Sequence, residues 1–129
     1  MGNPSFDHWL SGLDFVHWSE GRHRITASEL LSRRLEEGAV LLDVRDAEET
    51  GLLRLPFALS IPVHELPRRW EEVPEDRLVA AFCSGEVRAA VAYAYLQSRG
   101  RGNVRVLLGG YAALVEALKP GAIRARLRP

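Results

Sequence analysis

The sequence predicts an α/β fold with a mostly parallel central sheet. Three observations carry this expectation. Short apolar runs and helical segments alternate from about residue 25 onward. The runs at 39–44 and 77–82 are almost continuously apolar, as strands buried on both faces must be. A Thr26-Ala27-Ser28-Glu29 capping box opens the first helix of the series, and Gly38 marks its end.

The elements follow in order. Phe6, Trp9, Leu10, Leu13 and Val16 recur at helical spacing, with Trp18 near the end, which predicts an amphipathic N-terminal helix entered through Asn3-Pro4-Ser5. Behind the capping box, Leu30, Leu31 and Leu35 form one apolar face. Ala39–Val44 reads as a buried strand, closed by Asp43. Ala58–Ile61 is a short strand stopped by Pro62, and Leu66–Val73 a short helix ended before Pro74. Arg77–Phe82 is the strongest strand signal. A helix from Arg88 to Arg99 comes next, with Val91, Ala92, Tyr95 and Leu96 on one side and Gly100 beyond its end. Val104–Leu108 is the last strand, and Gly109-Gly110 leads into a helix from Tyr111 to Leu118. The chain divides into an N-terminal helical extension, 1–24, and one α/β domain, 25–129.

Composition excludes several classes. The 129 residues are 47% hydrophobic and 26% charged, which suits a globular domain and not a disordered or low-complexity chain. Seventeen basic residues balance seventeen acidic ones, against the basic excess of a phosphate-neutralising nucleic-acid binder. No run approaches the length of a membrane span. The first ten residues lack the basic and apolar regions of a secretory signal, so the expected location is the reducing cytoplasm. One cysteine and four scattered histidines show no metal-ligand spacing, and no metal or organic cofactor is expected.

That cysteine, Cys83, is the candidate for chemistry. It is the first residue after the strand ending at Phe82, at the carboxyl edge where parallel sheets bind ligands. Ser84-Gly85-Glu86-Val87 follows, and then the helix begins near Arg88. Unpaired amides and the positive end of the helix dipole converge there, and both favour an anion. A loop curled around the sulfur aims successive amides at it, as a backbone nest does. The placement therefore favours a thiolate, a persulfide anion or a bound oxyanion, with Arg88 adding fixed positive charge. Read on its own, a lone cysteine at a strand end is also an inert small hydrophobe.

Leu42-Asp43-Val44-Arg45, Pro56–Pro62 (PFALSIP), Phe82-Cys83 with Arg88, and Leu108-Gly109-Gly110-Tyr111 occur in an order that resembles the rhodanese-like domains. The resemblance covers about residues 25–118. It implies a five-stranded parallel sheet with helices on both faces and a two-step sulfur transfer. Cys83 is then the nucleophile that takes sulfur from a donor such as thiosulfate or a persulfide. The resulting cysteine persulfide passes it to cyanide or a thiol. The same resemblance makes Ser84, Gly85, Glu86, Val87 and Arg88 the substrate-binding loop. It places Asp43 and Arg45 in a strand-end pair beside the pocket, with Arg45 counted among the substrate-binding candidates. The four residues between Cys83 and Arg88 match the sulfurtransferase members of the family, whose phosphatase relatives have five.

Three positions depart from that pattern. Glu86 stands where the family often has Gly, and a carboxylate in the loop repels anionic donors unless it points outward or pairs with an Arg. Ala89 replaces a frequent hydroxyl, and Leu53-Arg54-Leu55 replaces Gly-His-Ile. The alternative reading is a non-catalytic binding or regulatory module, or a protein-to-protein persulfide carrier, whose partner protein or second subunit docks on the N-terminal aromatic helix.

Other features carry no chemistry on sequence grounds. Glu36-Glu37, Glu48-Glu49 and Glu71-Glu72 are read as solvated surface, because adjacent helical residues do not face one another. His8, His17, His23 and His64 receive no catalytic role. Arg124, Arg126 and Arg128 read as a solvated terminus, and Gly109-Gly110 lacks the rest of a phosphate-loop motif.

Overall fold

The computed structural model describes residues 4–120. Asn3 and the arginines at 124, 126 and 128 lie outside the described residues. Five strands, β1 (Arg24–Ile25), β2 (Val40–Asp43), β3 (Leu59–Ser60), β4 (Val79–Phe82) and β5 (Val104–Leu107), form one sheet in the order β1-β5-β4-β2-β3. Every pairing is parallel. The helices are α1 (Pro4–Ser11), α2 (Phe15–Ser19), α3 (Ala27–Glu37), α4 (Ala47–Leu52), α5 (Leu66–Arg69), α6 (Val87–Ser98) and α7 (Gly110–Ala117).

Strand periodicity sorts the core into two layers. On one face, Leu42, Val79 and Ala81 meet Ala92, Tyr93 and Leu96 of α6, with Ile61, Leu66 and Val73 completing the layer. On the other, Leu41, Ala80, Phe82 and Leu107 meet Leu30 and Leu31 of α3 and Leu114 of α7. With apolar residues required on both faces, β4 reads as the continuous run VAAF, buried at every position. It is the central strand, and its carboxyl end is thereby fixed from both sides.

Two helical faces differ from the sequence expectation. The buried side of α6 is Ala89, Ala92, Tyr93 and Leu96, while Val91 is exposed. Leu35 of α3 is likewise exposed, because that helix buries only Ala27, Leu30 and Leu31. Thr26 Oγ1 accepts from the Glu29 amide at 3.2 Å, and Gly38 closes α3 at φ +72°.

The N-terminal helix is two helices, not one. Gly12 and Leu13 interrupt it, and Asp14 caps α2 by accepting from the His17 amide at 3.0 Å. The pair packs on α6. Trp9 meets the Tyr93 ring edge-on at 5.9 Å, and His17 Nε2 lies 3.1 Å from the Tyr93 hydroxyl. Leu10, Phe15, Val16 and Trp18 stay exposed.

Phe82 is wholly buried while Leu52 is 88% exposed, so equal truncations must differ. Phe82→Ala is expected to cost about 3–5 kcal/mol and Leu52→Ala less than about 0.5 kcal/mol, read from urea unfolding midpoints.

Candidate functional site

Cys83 leaves the carboxyl end of β4 with its side chain buried in the layer beneath α6, the layer that also holds Val44, Ile61 and Ala89. The thiol makes no hydrogen bond among the described residues. Beyond it the chain curls through Ser84, Gly85 and Glu86 into α6. Those three residues and Val87 are exposed, so the loop is the outer wall of the site.

The loop is held from behind by Gly110. A side chain at Gly110 would place its Cβ 2.3 Å from Gly85 O, 2.6 Å from Cys83 O and 3.0 Å from Ser84 O. Gly110 also has φ +58°, so both its missing Cβ and its left-handed backbone are used. The next amide, Tyr111 N–H, donates to Cys83 O at 2.8 Å. Three consecutive carbonyls therefore face the Gly110 turn. In a trans peptide the following N–H points opposite to the carbonyl, so the amides of Ser84, Gly85 and Glu86 face the other way. The amides of Val87, Arg88 and Ala89 are the first turn of α6, which has no intrahelical acceptor for them. None of the amides from 84 to 89 donates to another group among the described residues. This arrangement suits an anion, to which backbone donors and the helix dipole contribute together.

Arg88 is fixed by a carboxylate that sequence reasoning treated as solvated surface. Its guanidinium forks onto Glu49 of α4, with Nη2 3.0 Å from Oε2, and Nη2 also donates to Ser84 Oγ at 2.9 Å. Glu49 Oε1 accepts the Asp46 amide at 3.0 Å, which ties α4's first turn to the same pair. The Arg88 hydrogen bond holds the Glu49 carboxyl down to about 2. The usable signal was Asp46 followed three residues later by Glu49, a helix-start pattern outside any apolar periodicity.

Arg45 and Asp43 form a buried pair. Arg45 Nη2 donates to Asp43 Oδ2 at 2.7 Å and to Leu53 O at 2.9 Å, and the guanidinium stacks over the Tyr111 ring at 4.4 Å. One cation thus joins the end of β2, the segment after α4 and the start of α7. Its donors on these contacts are directed at protein groups. Glu86 also turns to protein: Oε1 accepts the Gly109 amide at 3.0 Å, which links the loop to the turn before α7. Ala89 is wholly buried in the same apolar layer as Cys83, and Arg54 is exposed. Among the described residues, no group of three or more His, Cys, Asp or Glu is placed to hold a metal ion.

Comparison with known proteins agrees with this fold. The profile of the rhodanese-like domain family matches residues 26–117. A sulfurtransferase of Allochromatium vinosum is 41% identical over 88 residues, covering 67% of this chain and 82% of that protein. A tRNA uridine(34) hydroxylase of Xanthomonas campestris pv. campestris is 28% identical over 114 residues; the match takes in 75% of this chain but only 44% of the hydroxylase. Among solved structures, the human single-domain sulfurtransferase TSTD1 is similar with a TM-score of 0.66 at 29% identity, over 73% of this chain and 96% of that one.

Two outcomes test the supports of the loop. Gly110→Ala is expected to cost more than about 2 kcal/mol in urea unfolding, because it adds a backbone clash to a left-handed conformation. Glu49 has a folded value below its ordinary 4.5, so its contribution to stability is present above pH 4.5 and is lost as pH falls towards about 2. Glu49→Gln is expected to flatten that acid-side slope of unfolding free energy against pH; an unchanged slope would refute the pairing.

Proposed function

The chain belongs to the rhodanese-like domain family, and from that membership we propose that it is a sulfurtransferase carrying sulfane sulfur as a persulfide on Cys83. The observation that carries the reading is the set of amides from Ser84 to Ala89, unpartnered among the described residues, of which those of Ser84, Gly85 and Glu86 are turned away from the Gly110 wall. Similarity to a sulfurtransferase over most of that protein's length supports the same class of chemistry.

In the proposed reaction the Cys83 thiolate attacks the outer sulfur of thiosulfate. The sulfur–sulfur bond breaks and sulfite departs with the electron pair. The terminal sulfur of the Cys83 persulfide then accepts attack by a thiolate or cyanide, and the Cys83 thiolate leaves with the pair of the second bond. The Cys83 thiol itself makes no hydrogen bond among the described residues, so in this reading the loop's backbone N–H groups take up the negative charge of the outer sulfur as it is transferred. Arg88 fixes the loop's end through Ser84 Oγ, and its charge is largely answered by Glu49. The amides are therefore the main electrostatic contributors. Glu86 does not oppose them as a free carboxylate would, because it is engaged with the Gly109 amide.

The second reading is a persulfide carrier or binding module. It is motivated by the exposed Leu10, Phe15, Val16 and Trp18 of the N-terminal helices. There the acceptor is a thiol on a partner protein and small donors turn over slowly.

Incubation with thiosulfate, followed by intact-mass measurement, is expected to add one sulfur atom to the protein and none to Cys83→Ala. Gly110→Ala is expected to slow the addition by about a hundredfold, the scale for losing an aligned oxyanion donor. No added sulfur from thiosulfate or from a protein persulfide would reject both readings that involve transfer.

A further inference from the structure

Away from the cysteine edge, the structure holds a polar cavity of about 240 Å³. Arg24 at the start of β1, Glu29 and Arg33 on α3, Leu78 ahead of β4, and Asn103 and Arg105 at the start of β5 line it. Leu78 is five residues before Cys83 on an extended chain, so the two sites lie roughly 16 Å apart along β4.

The charges in this cavity are unbalanced. Three guanidinium groups share the lining with one carboxylate, Glu29. Arg33 is answered by Glu37, at 3.0 Å from Nε. Arg24 and Arg105 pair with no carboxylate among the described residues; Arg105 Nη1 donates only to the Gly102 and Val104 carbonyls, each at 2.8 Å. Room for Arg24 is built into the backbone. Gly21 has φ +68°, and a Cβ there would lie 2.7 Å from Arg24 Nε. The arginines come from three separate elements, so the cavity is a product of the tertiary fold and not of one charged run.

We propose that this cavity binds a small phosphate-type oxyanion, clamped by Arg24 and Arg105, with the Glu37-paired Arg33 alongside. Guanidinium forks match the oxygen geometry of phosphate and hold it with charge-assisted hydrogen bonds. The volume falls below the range that encloses a drug-sized ligand, so it suits a phosphate group or a diphosphate, not a nucleoside. A free diphosphate and the diphosphate of a nucleotide share this chemistry, the latter with its sugar and base outside. β1 is only two residues long and pairs on one side alone, with β5. An anion bridging β1, α3 and β5 fastens that edge, so binding also stabilises the fold by mass action.

The test is an amide NMR titration of the full chain with inorganic pyrophosphate and, separately, adenosine diphosphate, at constant ionic strength held by chloride. Saturable shifts at Arg24, Asn103 and Arg105 are expected, together with a rise in the thermal midpoint. Tighter binding of the nucleotide than of pyrophosphate identifies the nucleotide as the source; equal or weaker binding identifies the free ion. Arg24→Gln and Arg105→Gln are each expected to raise Kd by about tenfold, while Cys83→Ser leaves it unchanged. Arg24 is exposed and pairs with no carboxylate, so its variant keeps the test informative if Arg105→Gln misfolds. Absence of saturable shifts, an unchanged Kd in folded Arg24→Gln, or shifts confined to residues 84–88 would overturn the proposal.

Discussion

The site depends on one close approach: the Cα of Gly110 against three consecutive carbonyl oxygens, those of Cys83, Ser84 and Gly85. Nothing larger than hydrogen fits there. The contact sets which way three peptide planes face, and so which way their N–H groups face. The sheet supplies the two ends of this contact. β4 and β5 are paired in register, Ala81 with Val106, so the segment after Phe82 and the segment after Leu107 emerge side by side. The Tyr111 amide then joins them through Cys83 O.

Around that contact, three carboxylates are committed to the protein itself. Asp43 is taken by Arg45, Glu49 by Arg88, and Glu86 by the Gly109 amide. The two ion pairs also span elements. Arg45 reaches Leu53 and Tyr111, and Arg88 reaches α4. Truncating one partner leaves the other charge uncompensated in a partly or wholly buried place, which is why such pairs are costly to break. Their role in this account is to hold the loop's surroundings still, while the backbone supplies the donors.

Much of this was legible in the sequence because the signals were local. Ala39–Val44 and Arg77–Phe82 had to be apolar on both faces, and they became β2 and β4. The cysteine's place at a strand end, ahead of a helix, followed from the same runs. Three things were not legible. β1 has two residues, too few to show any period. α4 buries none of its six residues and so carries no apolar stripe; only its Asp46–Glu49 start marked it, and the Glu49–Arg88 pair spans 39 residues that no periodic pattern connects. The contact on Gly110 was likewise hidden: the sequence shows a glycine pair before a helix, while the three carbonyls behind it come from a different strand end.

Sulfur transfer at Cys83, as proposed, requires the amides of residues 84 to 88 to bind the sulfur's negative charge. The most direct measurement is the amide proton spectrum of the protein before and after Cys83 is loaded with sulfur. The account predicts that the Ser84, Gly85 and Glu86 protons move downfield by more than any others, as they take up hydrogen bonds to an anion. Loaded protein whose 84–88 amides keep their unloaded shifts would contradict it.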